Sequence, residues 1–173
     1  MRILLTGGAA NGKSTFAEDL AVRLGTPRFY VAAMMPYGEE SECRIARHRT
    51  LRAAKGFVTV ERHTDLAGLR LPKRGTVLLE CLCNLTANEM FEPEGAHDCA
   101  VEAVLHGVEA LSRQCENLIV VTNDVGADGG GYDPTVVAYI ETLGHINRAL
   151  AVCFDRVYEL CCGIPLSLKG TLL

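Results

Sequence analysis

The chain carries a phosphate-binding loop pattern close to its N-terminus. Gly7, four further residues and then Gly12-Lys13-Ser14 fit the spacing Gly-x-x-x-x-Gly-Lys-Ser/Thr. A loop of this kind points several backbone N–H groups and the positive end of a helix dipole at one place, so it holds a triphosphate with few side chains. There Lys13 would reach the β- and γ-phosphates, and the Ser14 hydroxyl would ligate Mg²⁺. The predicted nucleotide-binding residues of the loop are Gly7, Gly8, Ala9, Ala10, Asn11, Gly12, Lys13, Ser14 and Thr15.

The residues on either side of the loop are the elements that such a loop needs. Residues 2–6 form a short apolar run typical of a buried strand, and Phe16, Leu20 and Leu24 recur every four residues, as on one face of a helix that stops at Gly25. The alternative is a glycine-rich turn that only lets a helix pack close to a sheet. Because strand, glycines, lysine, serine and helix are all in register, we favour nucleotide binding.

Polar residues end two further predicted strands. Glu80 lies near the end of the strand 76–81, where phosphate-loop enzymes hold a carboxylate that orders Mg²⁺. It is a candidate metal ligand or base, and the alternative is a carboxylate without a task. Asn123 and Asp124 follow the strand 118–122, and they fit a turn as well as a ligand-binding edge.

A stripe of charged residues follows the second predicted strand. Glu40, Arg44, His48 and Arg52 are spaced by four, so on a helix they share one face. Two guanidinium groups beside an imidazole would favour its neutral, nucleophilic form and would also hold the phosphates of its target. From the residues alone, a solvated basic face with an incidental histidine is the commoner outcome.

The remaining pattern alternates strands with helices. Predicted strands cover residues 2–6, 28–32, 57–61 (an edge strand), 76–81, 118–122 and 156–161. One predicted helix follows the loop, and others cover about 39–52, a segment capped by Asp98 that carries Val101 to Leu111, and about 134–154. The segment that follows the strand 76–81, as far as residues 92–95, is predicted to be polar and irregular. This alternation predicts an α/β fold with a mainly parallel sheet covered on both faces. Without repeats or a linker, residues 1–173 are expected to form a single nucleotide-binding domain.

Composition narrows the function classes. The formal net charge is −4, which argues against a general affinity for nucleic acid or anionic membranes. We also see no membrane-length apolar run and no secretory pattern, so a cytoplasmic location is expected. The 8 cysteines are scattered and lack zinc-site spacing, which predicts reduced and mostly buried thiols.

These motifs together resemble the bifunctional adenosylcobinamide kinase and adenosylcobinamide-phosphate guanylyltransferase family of cobalamin biosynthesis. The resemblance covers nearly the whole chain. Its most specific parts are Arg44-Ile45 with His48-Arg49, and the run Val121-Thr122-Asn123-Asp124-Val125-Gly126. Further parts are the phosphate loop, Tyr30-Val31-Ala32, Thr59 with Glu61, Leu78-Leu79-Glu80-Cys81-Leu82 with Asn88, Gly144 with Asn147, and Gly163-Ile164-Pro165.

The resemblance implies an activity with two halves. ATP or GTP, held by the loop with Mg²⁺ on Ser14 and Glu80, would phosphorylate the hydroxyl of adenosylcobinamide. GTP would then guanylylate His48, which passes GMP to the corrinoid phosphate. On this basis Arg44, Arg52 and Glu61 join the nucleotide-binding residues, and Lys13 and Glu80 join His48 as catalytic residues. The family also implies a RecA-like P-loop fold and a homotrimer.

The chain departs from the family pattern at several positions. Val137 and Ile140 stand where the family has arginines, and the loop 127–132 is unusually rich in glycine. Ala33 and Cys83 stand where the family often has threonine. Two alternatives therefore stay open: a divergent P-loop kinase of another small molecule without guanylyltransferase activity, and a catalytically silent nucleotide-binding module.

Overall fold

The computed structural model describes residues 1–36, 52–126 and 129–173, and a sheet of seven strands lies at its centre. The strands are β1 (Arg2–Thr6), β2 (Arg28–Ala32), β3 (Phe57–Glu61), β4 (Thr76–Glu80), β5 (Asn117–Val121), β6 (Arg156–Cys161) and β7 (Ile164–Lys169). The helices are α1 (Lys13–Leu24), α2 (Leu82–Phe91), α3 (Ala100–Gln114) and α4 (Pro134–Cys153), with short 3-10 turns at Leu66–Gly68 and His97–Cys99. None of these helices is long and apolar enough to cross a membrane.

The sheet is parallel except at one edge. Its strand order is β3-β2-β4-β5-β1-β6-β7, and only β6 and β7 pair antiparallel. In the register of β2, Ala32 lies opposite both Glu61 of β3 and Glu80 of β4. The carboxyl ends of these three strands therefore lie in one row, which is where ligands bind in open α/β sheets.

Helices cover both faces of the sheet because the strands are apolar on both sides. Ile3 and Leu5 face α1 and pack with Ala17 and Leu20, whereas Leu4 faces the opposite side. On that opposite side α2, α3 and α4 share one core, which includes Leu82, Leu85, Val104, Val108, Leu111, Leu143, Ile146 and Leu150. The predicted α/β architecture is confirmed.

Most predicted elements are found at their expected places. The strands β1, β2, β3 and β6 have the predicted bounds, β3 is indeed an edge strand, and β4 and β5 differ from prediction by one residue at their ends. The helix predicted over residues 39–52 falls almost wholly outside the described residues.

The prediction of an irregular segment after β4 was wrong, because α2 begins there at Leu82. Polar residues on this helix are buried with their hydrogen bonds satisfied. The buried face of the helix is therefore partly polar, and the sequence lacks the apolar periodicity by which a helix is recognised. Asn88 donates to the backbone oxygens of Ala33 and His63, at 2.8 and 2.9 Å. Glu89 accepts from two backbone N–H groups in the same way.

Two smaller expectations were also wrong, and one strand was missed. Asp98 does not cap α3, since it lies in a 3-10 turn and the N-cap residue is Cys99, without a side-chain hydrogen bond. Strand β7 was missed because Pro165 disfavours a strand, although a proline is tolerated at a sheet edge. The seven described cysteines are all free, as expected, but Cys99, Cys153, Cys161 and Cys162 are exposed rather than buried.

Candidate functional site

The phosphate loop joins β1 to α1 and needs glycine at two positions. Gly7 has φ +134°, and a Cβ there would lie 2.5 Å from the backbone oxygen of Leu160. Gly12 is the N-cap of α1 with φ 84°. Both backbone conformations are in the left-handed region that glycine adopts without strain. The loop can therefore turn tightly and present its N–H groups in front of α1.

Neighbouring segments brace the loop through backbone hydrogen bonds. Gly163, in the turn between β6 and β7, donates its N–H to the Asn11 oxygen at 3.2 Å. Asp124 donates its N–H to the Gly7 oxygen at 3.3 Å. The segment after β5 thus supports the loop through Asp124. The preceding residue, Asn123, lines the cavity in front of the loop.

Lys13 lies folded over the loop that precedes it. Its Nζ donates to the backbone oxygens of Gly7 and Gly8, at 2.8 and 2.5 Å. Burial lowers the pKa of Lys13 below its ordinary value, although Cys83, Cys81 and Glu80 act in the opposite direction. The ammonium group is therefore held at the loop by carbonyl oxygens.

Ser14, in the first turn of α1, meets Glu80 at the end of β4, although β1 and β4 are not neighbours in the sheet. The Ser14 hydroxyl donates to Oε1 of Glu80 across the position of β5, which lies between β1 and β4 in the sheet. The other carboxylate oxygen, Oε2, is buried and has no hydrogen-bond partner among the described residues. A hydroxyl and a carboxylate with one oxygen unpaired are the ligand types that Mg²⁺ prefers, so these two residues fit the metal site predicted for them.

A cavity of about 780 Å³ opens in front of the loop. Its walls contain many of the predicted site residues, namely Ala9, Ala10, Asn11, Gly12, Lys13, Ser14, Thr15, Arg52, Glu61 and Glu80. Gly7 and Gly8 belong to the loop but do not line the cavity. Arg44 and His48 lie outside the described residues, so their roles, like those of the other site residues, stay predictions.

Arg52 enters the cavity wall on top of an aromatic ring. Its guanidinium carbon lies 3.5 Å from the ring centroid of Tyr30, and only 3% of the residue is exposed. Its Nε is buried without a hydrogen-bond partner in the described part of the chain. Burial, and then the Glu80 carboxylate, raise the pKa of Tyr30 well above its ordinary value, so the phenol stays neutral. The pair places a cation next to an uncharged ring at the cavity surface.

Sequence reasoning missed several residues of this wall. Tyr30, Met34, Pro36, His63, Cys81, Cys83, Asn84 and Val121 also line the cavity. Most of them lie just after a strand, at the carboxyl edge of the parallel sheet, and that position is the signal by which they could have been found. His63 is further fixed because its Nδ1 lies 3.3 Å from the Ala33 oxygen.

Cys83 has a polar environment although its side chain is buried. Its Sγ accepts the N–H of Asn123 at 3.2 Å and lies 3.7 Å from Thr122 Oγ1. The neighbouring Cys81 thiol, assisted by the Thr122 and Asn123 contacts, lowers the pKa of the Cys83 thiol below its ordinary value in spite of burial. This cavity therefore contains a thiol that ionises more readily than a buried cysteine normally does.

Comparison with known proteins identifies the family. Residues 3–168 match the family described as cobinamide kinase / cobinamide phosphate guanyltransferase. The bifunctional adenosylcobalamin biosynthesis protein CobU of Escherichia coli (strain K12) is 30% identical over an alignment 183 positions long, which covers 98% of this chain and 100% of that protein. The corresponding CobP of Pseudomonas aeruginosa is 31% identical over 174 residues, covering 98% of each chain.

The solved structures support the fold. One of them, an ATPase domain, aligns with a TM-score of 0.52 at 10% sequence identity, covering 91% of this chain and 68% of that one. At this identity the likeness concerns the fold alone, which is the RecA-like P-loop α/β fold that the sequence predicts. Because the family match covers most of its length and both relatives align from end to end, the chain belongs to the cobinamide kinase / cobinamide phosphate guanyltransferase family of transferases.

Proposed function

We propose that this chain phosphorylates adenosylcobinamide with a nucleoside triphosphate and then transfers GMP from GTP to the phosphorylated product. The observation that carries the proposal is the meeting of Lys13, Ser14 and Glu80 at one cavity, in a chain that matches the family over residues 3–168. The predicted product is adenosylcobinamide-GDP. The other half of the proposal, the guanylylated histidine, falls on His48, which is outside the described residues.

In the kinase half, the loop residues 7–15 hold the triphosphate of ATP or GTP through backbone N–H groups. Lys13 exchanges the oxygens of Gly7 and Gly8 for phosphate oxygens of the nucleotide. Ser14 and Glu80 would hold Mg²⁺, which when bound neutralises charge on the phosphates. The chain itself supplies the orientation of the transferred group toward the corrinoid hydroxyl, which is most of what phosphoryl transfer requires.

In the guanylyltransferase half, the His48 imidazole attacks the α-phosphorus of GTP, pyrophosphate leaves, and the corrinoid phosphate then takes the GMP group from the imidazole. Arg44 and Arg52 balance the negative charge on the transferring group, and Glu61 contributes to recognition of guanine. For Arg52 this role is supported by its place in the cavity wall and by a buried Nε without a described partner.

The same family membership supports the setting of the reaction. We propose that residues 1–173 act as one nucleotide-binding domain, that the protein is a cytoplasmic homotrimer, and that neither nucleic acid nor membrane is among its partners. Sedimentation equilibrium at several protein concentrations tests the assembly, because a single species of one or two chains would contradict the trimer.

Incubation with GTP labelled at the α-phosphorus tests the transferase half directly. We expect the unmodified chain to take up one acid-labile label, as a phosphoramidate does, and His48→Asn to take up none. His106→Asn is the matched control, because His106 is an exposed histidine on α3 and is absent from the cavity wall. Failure of the unmodified chain to take up label, or equal labelling of His48→Asn, would remove the guanylyltransferase claim.

A divergent kinase is the second candidate, and one contact favours it. Ile140, which stands where the family has an arginine, is half-buried, and its side chain lies so close to Gly126 that a Cβ there would be 3.1 Å from it, so apolar packing occupies that position. This candidate predicts γ-phosphate transfer that requires Lys13 and is indifferent to His48. Phosphorylation of adenosylcobinamide followed by labelling of His48 would exclude it, while nucleotide binding without any turnover would instead leave a silent binding module.

A further inference from the structure

Two cysteines of the cavity wall, Cys81 and Cys83, have no part in the proposed reaction. Both line the cavity beside the phosphate loop, at the start of α2. Cys81 is the N-cap residue of that helix and is half-buried, while Cys83 is 6% exposed. Each thiol shifts the pKa of the other, that of Cys81 upward and that of Cys83 downward.

The backbone between the two cysteines has the dimensions that a disulfide requires. The conformation of the single intervening residue, Leu82, sets the distance between the two Cα atoms, and Leu82 is the first residue of α2. Helical geometry places Cα atoms two residues apart at ~5.4 Å. Disulfides join Cα atoms that are ~4.4–6.8 Å apart, so the bond requires no large movement of the chain.

The two sulfurs also differ in a way that suits stepwise oxidation. Cys83 Sγ accepts the Asn123 N–H at 3.2 Å, close to the positive end of α2, and both features favour its thiolate. Cys81 Sγ accepts only a longer contact, from the Asn84 N–H at 3.5 Å, and is the more exposed of the two. Cys83 is therefore the nucleophile and Cys81 the thiol that can reach it.

We propose that Cys81 and Cys83 form a reversible disulfide inside the nucleotide cavity when the protein meets a hydroperoxide. The Cys83 thiolate attacks the outer peroxide oxygen, the O–O bond breaks, and hydroxide leaves and is protonated to water, giving a sulfenic acid. The Cys81 sulfur then attacks the Cys83 sulfur, the S–O bond breaks, and the thiol proton leaves with the hydroxyl group as a second water. In total one hydrogen peroxide is reduced to two waters, and two thiols are oxidised to one disulfide.

The bond changes contacts next to the catalytic residues. It moves Cys83 Sγ away from the Asn123 N–H, which then loses its hydrogen-bond acceptor. It also moves Cys81 Sγ away from the Asn84 N–H, so α2 loses its N-terminal cap. Cys81 directly follows Glu80, the carboxylate that accepts from Ser14. We therefore expect the disulfide to lower nucleotide turnover, and a dithiol reductant to restore it.

Peptide mapping of the unmodified chain tests the bond without reference to any substrate. After treatment with hydrogen peroxide, free thiols are alkylated and the denatured chain is cleaved after glutamate. Cleavage after Glu80 and Glu89 gives a nine-residue peptide, 81–89, whose only cysteines are Cys81 and Cys83. We expect this peptide to carry no alkyl group and to lack two hydrogens, and dithiothreitol treatment before alkylation should return it to the doubly alkylated form.

Two variants connect the bond to activity. Cys83→Thr introduces the residue that the family often has at this position. In peroxide, each protein is compared with its own untreated rate, and we expect Cys83→Thr to lose turnover about tenfold more slowly than the unmodified chain. The double variant Cys161→Ser, Cys162→Ser removes an exposed pair elsewhere, and it should remain as sensitive as the unmodified chain. The proposal is overturned if peptide 81–89 stays doubly alkylated or acquires only further oxygen atoms, or if Cys83→Thr is inactivated as fast as the unmodified chain.

Discussion

The cavity has two parts that are built in different ways. The phosphate loop, residues 7–15, is one continuous stretch whose shape depends on backbone conformation and on backbone hydrogen bonds from its neighbours. The side-chain wall, formed by Tyr30, Arg52, His63 and Asn84, comes from separate parts of the chain and depends on side-chain contacts. The loop can thus be recognised from a short pattern, whereas the wall exists only after the chain has folded.

This difference predicts which substitutions each part tolerates. In the loop, a glycine should matter more than the side chains at the exposed positions Ala9 and Ala10. In the side-chain wall, the residues that hold strand ends together should matter more than those that only touch the cavity. Two substitutions, each with a control, and one double-mutant cycle test this comparison, and all are measured as the free energy of unfolding in denaturant.

The largest effect is expected for Gly7→Ala. A Cβ at this position would lie 2.5 Å from the Leu160 oxygen, and the φ of +134° is strained for alanine. Because the obstructing atom belongs to the backbone of β6, it cannot move aside cheaply. We expect a loss of about 3 kcal/mol in the free energy of unfolding.

Gly131→Ala is the matched control for the loop. A Cβ on Gly131 meets no atom within 4 Å, and its backbone conformation is one that alanine adopts. Its free energy of unfolding should change by less than about 0.5 kcal/mol. Equal effects of the two substitutions would show that backbone conformation is not what distinguishes the loop.

An intermediate effect is expected for Asn88→Ala, behind the side-chain wall. Asn88 donates to the Ala33 and His63 oxygens and so ties together the segments that follow β2 and β3. Removal of the amide leaves buried carbonyl oxygens with fewer donors, at a cost of about 2 kcal/mol. Asn88→Asp should be at least as harmful, since it keeps the shape but loses the donors.

Asn84→Ala is the matched control for Asn88→Ala. Asn84 lies one helical turn before Asn88 on α2 and lines the cavity half-buried. Its replacement should leave the free energy of unfolding within about 0.5 kcal/mol. A larger loss at Asn84 than at Asn88 would mean that contact with the cavity, rather than the tie between strand ends, stabilises this wall.

The comparison also explains how far the sequence could be interpreted. Strand β1, the loop and Gly25 at the end of α1 are local signals, so they were predicted correctly from a few residues. The fold class followed from the alternation of apolar strands with helices. Ser14 and Glu80 were predicted to share a metal, and the side chains meet, because the carboxyl ends of parallel strands converge on one edge.

What sequence reasoning missed depends on contacts between distant residues. Asn88 and Glu89 look like surface residues in the sequence, yet both are buried. The hydrogen-bond partners of Asn88 lie 25 or more residues away along the chain, and those of Glu89 lie 7 or more residues away. Tyr30 carries no sign that Arg52 will stack on it, and Cys83 carries none that Asn123 will donate to it. Such contacts are decided by tertiary packing, which local periodicity does not encode.

The smallest effect is expected for the pair formed by Arg52 and Tyr30, and a double-mutant cycle measures it. With Arg52→Met and Tyr30→Leu as the single changes, we expect a coupling of about 1 kcal/mol in the free energy of unfolding, because the cation lies 3.5 Å from the centroid of a buried ring. Arg28 and Phe57 form the control cycle, since there the distance is 6.0 Å and the coupling should be under about 0.5 kcal/mol. If the two cycles give the same coupling, stacking adds nothing specific to the side-chain wall, and Arg52 would be held there by its burial alone.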